Sequence, residues 1–238
     1  GVKSRHISGD KETTADMAVK AAEKALENSG LLPDEIDLII VSSVSSNLVL
    51  PSTACFVQKA INAKNAFCFD INVACTGFIT AYNISQTFIN TGLINTALII
   101  GAESLSKITD WSDRKTCILF GDGAGAVVIK KDENAMFETV MFSNGKNGDA
   151  LTMENPFALR KTNLGKNHQG QFDIAFQDIQ KTYINMDGGE IFKFAVKKVP
   201  ECIEALLEKI HMDKDEIDKY LLHQANSRII EGIAKRSK

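Results

Sequence analysis

The chain has 238 residues, 44% hydrophobic and 24% charged, which is ordinary for a globular protein of one large or two small domains. Lys and Arg number 27 against 30 Asp and Glu, a net charge of −3 that argues against a nucleic-acid binder. No apolar run reaches the roughly 18 residues of a membrane span and no signal peptide opens the chain, so no membrane partner is expected. Five scattered cysteines without a C-x-x-C pair speak against a disulfide framework or a zinc site and for the reducing cytoplasm. Both ends read as incomplete: Gly1 opens in the middle of ordered sequence, and Lys238 stops within a helical pattern.

In chain order, Thr13 to Asn28 reads as a helix, with Thr13 and Asp16 as a capping pair, an alanine stripe, and Gly30 past its end. Ile36 to Val44 is a buried strand, Ser52 to Ile61 a helix, Ala66 to Ile71 a strand, and Thr76 to Asn90 a helix ending at Gly92. Thr96 to Ile100 is a further strand. A polar loop then leads to two short β runs, Cys117 to Phe120 and Ala124 to Ile129. Lys146 to Asp178 reads as loops or an insertion. Glu190 to Ile210 is a long amphipathic helix with a break expected at Pro200, Lys219 to Leu222 is a strand, and Asn226 starts a last helix. Strands alternating with helices predict an α/β fold with a largely parallel sheet.

An internal repeat sharpens that expectation. Ala25-Leu26-Glu27 with Asp34-Glu35-Ile36-Asp37 lies without a gap on Leu206-Leu207-Glu208 with Asp215-Glu216-Ile217-Asp218, at an offset of 181 residues. Six of these seven positions are identical. The pattern implies a duplicated α/β half, residues 1–150 carrying the first copy and residues 151–238 a truncated second one.

Cys75 is the most informative residue. It follows a strand and opens a helix, the place where ligand sites form in open α/β sheets. The positive end of the helix is expected to lower its thiol pKa and favour the nucleophilic thiolate. Cys55, Cys68, Cys117 and Cys202 lie inside apolar patterns and read as small buried residues. His223 ends the expected strand Lys219 to Leu222, so Cys75 and His223 would meet where two related halves join. His6, His168 and His211 have no comparable setting. Gly121 to Ala126 matches the G-x-G-x-x-A dinucleotide pattern but runs into β sequence, and it reads as a tight turn between strands rather than an NAD site. Asp110, Asp113 and Asp122 lack metal-site spacing, and no metal is expected.

With these residues in view, the chain resembles the β-ketoacyl-acyl carrier protein synthase III family of condensing enzymes. The resemblance rests on GVKSRHI from Gly1, PSTAC from Pro51, NVACTGF around Cys75, Asp113-Arg114, FGDGAGAVVI from Phe120, GGEIFKFAV from Gly188 and HQANSRII from His223. It implies a thiolase fold, two pseudo-symmetric α/β halves with stacked mixed sheets and buried helices. Cys75 then takes an acyl group, usually acetyl, from coenzyme A, and the acyl-enzyme condenses with malonyl-acyl carrier protein as CO2 leaves. His223 is implied to hydrogen-bond the malonyl thioester and stabilise its enolate. Arg114 is implied near the coenzyme A adenine, and Gly188, Phe192 and Asn226 along the pantetheine tunnel. Gln224, Ala225, Asn226, Ser227 and Arg228 correspond to the carrier-protein docking segment, which Lys193, Lys235 and Arg236 extend. Leu50 stands where many members carry a larger aromatic residue beside the partner's acyl pocket. The family also implies a homodimer, acyl-CoA as substrate rather than resident cofactor, and a catalytic asparagine, a C-terminal glycine-rich loop and an N-terminal tryptophan that these 238 residues do not contain.

Two other functions compete. One is a related thiolase-fold acyltransferase of secondary metabolism, using Cys75 and His223 on a different acceptor. The other is a non-catalytic paralogue that keeps the fold. A Cys-His hydrolase fits the pair alone, but no peptide or ester specificity pocket is legible around Cys75.

Overall fold

The structure is a computed structural model that describes residues 2–155, 162–166, 172–176 and 182–237, with backbone alone for 162–166 and 172–176. Helix α1 (Thr14–Ser29) starts from a capping box in which Thr13 and Asp16 satisfy each other's backbone N–H, and it ends where Gly30 turns left-handed at φ 69°. Strand β1 (Leu38–Ser42), helix α2 (Thr53–Ile61), strand β2 (Phe67–Ile71), helix α3 (Gly77–Asn90) and strand β3 (Thr96–Ser104) follow in alternation. Strand β4 (Asp122–Lys130) closes a four-stranded sheet in the order β2-β1-β3-β4, the first three parallel and β4 antiparallel to β3.

All five residues of β1 are buried because helices cover both faces of the sheet. Ile39, Val41, Leu98 and Ile100 point to one face and pack with Ala18, Ala22 and Val57 of α1 and α2. Leu38, Ile40, Ala97 and Ile99 point to the other and pack with Ala81 and Ile89 of α3. This period-two split divides one apolar run between two cores.

Beyond the sheet, β5 (Leu151–Thr152) pairs antiparallel with β8 (Asn185–Met186), and β6 (Thr162–Lys166) with β7 (Phe172–Phe176). Helices α4 (Gly188–Ile210) and α5 (Ser227–Arg236) complete the described chain and pack together. The expected loops of Lys146 to Asp178 thus contain a 3₁₀ segment and short ladders, and positions 156–161, 167–171 and 177–178, His168 among them, lie outside the described residues.

The repeat is visible in three dimensions. His211 ends α4 in the left-handed region at φ 54°, 181 residues after Gly30 does so for α1. In the turns that follow, Leu32 N–H donates to Glu35 Oε2 at 2.8 Å and Asp213 N–H to Glu216 Oε2 at 2.7 Å. The copies then part: the first runs into β1, while the expected strand Lys219 to Leu222 does not form. A strand needs an edge to pair with, and none lies against this segment among the described residues, leaving Leu221 90% exposed.

Three further expectations are corrected. Helix α4 runs unbroken through Pro200, which is buried; one lost backbone bond does not end a helix whose next turns pack on α5. Cys117 to Phe120 is wound into turns rather than a strand, because the Asp113 carboxylate accepts from Lys115 N–H at 3.0 Å and the Thr116 hydroxyl at 2.7 Å. Gly123 and Gly125 are not a turn but lie inside β4, opposite Glu103 and Gly101. No helix opens there.

Candidate active site

The carboxyl ends of the parallel strands β1, β2 and β3 form one edge of the sheet, and Cys75 stands on it. After Ile71 the chain passes Asn72 and Val73 into a 3₁₀ turn, Ala74–Thr76, that leads directly into α3. Ala74 holds φ at 46°, a left-handed backbone unusual for a residue with a side chain. The turn is closed by Thr76, whose N–H and hydroxyl both reach the Val73 carbonyl, at 3.3 and 3.1 Å. Cys75 is thereby exposed at the tip. Gly77 sits so close to β1 that a Cβ there would lie 1.7 Å from Ser42 Oγ. Only glycine lets the Cys75 turn approach the sheet this far.

The thiol does not behave as the helix end alone predicts. Desolvation pushes the Cys75 thiol above its ordinary value and the nearby Glu103 carboxylate adds to the rise; only the residue's own backbone N–H opposes it. The expectation of a lowered pKa is corrected: packing around the sulfur and a neighbouring charge outweigh the dipole. Glu103, near the end of β3, was not singled out from the sequence. It is raised too, mainly by its own burial, against donors from Ser45, Val44 and Ser43.

The loop between β1 and α2 carries Leu50 and is tied at both ends. Glu103 accepts from Val44 N–H at 2.9 Å, and Asp70 of β2 accepts from Thr53 and Ala54 N–H at 2.6 and 2.8 Å. Leu48, Val49 and Leu50 project between these anchors, Leu50 83% exposed. Arg114 is exposed on the loop between β3 and β4, in turns braced by Asp110 and Asp113. That loop also presents Trp111, whose indole N–H donates to the Ser106 carbonyl at 3.1 Å.

The remaining candidates gather on α4 and α5. Gly188 opens α4 under the Asp187 cap, and Phe192 is 40% exposed one turn on. Lys193 pairs with Glu190 at 2.8 Å, which holds its ammonium pKa up and makes it a paired cation. His223 lies exposed in the segment before α5, and Gln224 beside it. Ala225 and Asn226 are half-buried; Asn226 caps α5 by accepting from Ile229 N–H at 3.0 Å. Ser227, Arg228, Lys235 and Arg236 are exposed along α5. Ile229 and Ile233 are its buried face, and a Cβ on Gly232 would come 2.8 Å from Val196 Cγ2 of α4. Cys75 and His223 therefore belong to different elements, and no hydrogen bond joins them among the described residues.

Comparison with known proteins identifies this arrangement. The family described as 3-oxoacyl-(acyl-carrier-protein) synthase III matches residues 69–145, the stretch that holds Cys75, Glu103 and Arg114. A β-ketoacyl-(acyl-carrier-protein) synthase III of Clostridium acetobutylicum is 45% identical over 242 residues, covering 99% of this chain and 69% of the relative. The crystal structure of 3-oxoacyl-(acyl-carrier-protein) synthase III from Aquifex aeolicus VF5 superposes with a TM-score of 0.79 at 38% identity, over 100% of this chain and 69% of that one. The priming β-ketosynthase of the R1128 polyketide pathway does so with a TM-score of 0.85 at 29% identity, over 99% and 67%. The fold is that of the thiolase-like condensing enzymes, and the chain belongs to the β-ketoacyl-acyl carrier protein synthase III family.

Proposed function

We propose that this protein starts fatty-acid synthesis by joining a short acyl group, acetyl above all, to malonyl-acyl carrier protein. Cys75 Sγ attacks the thioester carbon of acyl-CoA; the acyl–sulfur bond to coenzyme A breaks, coenzyme A leaves as its thiol, and the acyl group stays on Cys75. Malonyl-acyl carrier protein then loses CO2, its enolate carbon attacks the acyl-Cys75 thioester, and the Cys75 thiolate departs and is reprotonated. His223 donates a hydrogen bond to the malonyl thioester oxygen as negative charge grows there. Arg114 meets the adenine end of coenzyme A. Gly188, Phe192 and Asn226 line the path of pantetheine, and Leu50 bounds the acyl pocket. Carrier protein, which is acidic in this reading, docks on Gln224, Ala225, Ser227 and Arg228, with Lys193, Lys235 and Arg236 widening the patch. The enzyme works in the cytoplasm as a homodimer, takes acyl-CoA as substrate and needs no resident metal or cofactor.

The observation that carries this reading is the position of Cys75, exposed on a left-handed turn at the carboxyl edge of three parallel strands, within a chain 45% identical to a named synthase III. Its test separates the two half-reactions. His223→Ala protein is expected to take acetyl from acetyl-CoA onto Cys75 but to release CO2 from malonyl-acyl carrier protein at least ~100-fold more slowly. Undiminished CO2 release would remove His223 from its role. The R1128 priming enzyme favours a second reading, a different acyl acceptor or primer. Condensation with malonyl-acyl carrier protein as the preferred acceptor would exclude the first half of it.

A further inference from the structure

Glu103 takes no part in the reaction just described, yet its carboxylate is heavily engaged at the edge where Cys75 stands. It accepts from Val44 N–H at 2.9 Å, Ser45 N–H at 3.2 Å, the Ser43 hydroxyl at 3.4 Å and the Ser45 hydroxyl. No lysine or arginine pairs with it among the described residues. A buried carboxylate ordinarily finds a cation or gives up its charge; this one is held by neutral donors, every one of them on residues 43–45. That short segment and the end of β1 before it reach the two flanks of the Cys75 turn. Ser43 N–H donates to the carbonyl of Ile71, the last residue of β2 before the nucleophile turn, at 3.2 Å. Ser42 presents its hydroxyl to Gly77, where α3 begins. Asp70, another carboxylate of β2, is spent on Thr53 and Ala54 and bears on Cys68 instead.

We propose that Glu103 is a positioning residue of the acyl-transfer site: its carboxylate fastens residues 43–45 to the strand edge that holds the Cys75 turn. The inference rests on Cys75 being the acyl acceptor. Desolvation pushes the Cys75 thiol pKa up, and the Glu103 charge adds to the rise.

The test compares Glu103→Gln and Glu103→Asp with the unaltered protein in two assays, the pH dependence of Cys75 alkylation by iodoacetamide and the rate of acetyl transfer from acetyl-CoA to Cys75. Glu103→Gln is expected to move the alkylation midpoint to lower pH, because the charge opposing thiolate is gone. It should also slow acetyl transfer on the order of tenfold or more at saturating acetyl-CoA, with KM little changed. Glu103→Asp should restore the alkylation midpoint toward that of the unaltered protein. Acetyl transfer in Glu103→Gln at the unaltered rate would overturn the proposal, whatever happens to the alkylation profile. Should Glu103→Gln fail to fold, Ser45→Ala removes one donor and leaves the charge; acetyl transfer at the unaltered rate would then refute the fastening role. An unaltered protein that takes no acetyl on Cys75 would instead refute the function on which the inference rests.

Discussion

Cys75 was legible at the level of single residues because its signal is local: a strand, a short turn, a helix, and a glycine two positions on. The upward direction of its thiol pKa was not, since that comes first from desolvation and then from Glu103, 28 residues away in sequence. A helix end is visible in the sequence, whereas the packing around a sulfur is not. The raised thiol has a direct consequence. Cys75 should react with iodoacetamide only as pH rises past the ~8.5 of an ordinary cysteine, since alkylation needs the thiolate. Burial pushes Cys68 further, up to about 12, so it should stay unlabelled under conditions that modify Cys75. Peptide mapping after a pH series checks the order, and labelling of Cys68 first would contradict the described environments. Gly77 offers a separate test. Gly77→Ala forces a methyl against Ser42 and should cost about 1–3 kcal/mol in denaturant unfolding, as overpacking does; an unchanged midpoint would mean the turn stands off from β1.

Among the elements, the N-terminal helices and strands of the sheet were readable to within a few residues, because capping pairs, alanine stripes and buried apolar runs act locally. What escaped were elements decided by partners. Lys219 to Leu222 has the composition of a strand but no edge to join among the described residues, and Cys117 to Phe120 has the composition of a strand but is captured by Asp113. Strand β3 runs on to Ser104 because β4 supplies ladder partners through Asp122. The repeat, by contrast, is recorded in shared residues, Leu-Glu near a helix end and Asp-Glu-Ile-Asp after it, and so it is legible in the sequence alone. Asn226 links element to function, since its cap fixes the start of α5 next to His223. Asn226→Ala should lower stability by about 1 kcal/mol and weaken carrier-protein binding, measurable by calorimetry against a cap-retaining Asn226→Asp. Unimpaired binding in Asn226→Ala would mean that α5 docks nothing.

At the scale of the molecule, one parallel-stranded edge gathers the nucleophile turn, the loop bearing Leu50 and, through β3, the loop bearing Arg114. The chain spans about 70% of the length of its relatives. The proposed homodimer should show twice the chain mass by light scattering in solution, and a monomer at micromolar concentration would contradict the proposal. The most direct test of the whole account is the intact mass of the protein after incubation with acetyl-CoA, beside Cys75→Ala. The account predicts one acetyl group added to the unaltered protein and none to the variant. No adduct with acetyl-CoA or with longer and branched acyl-CoAs, or an adduct that survives in Cys75→Ala, would contradict it.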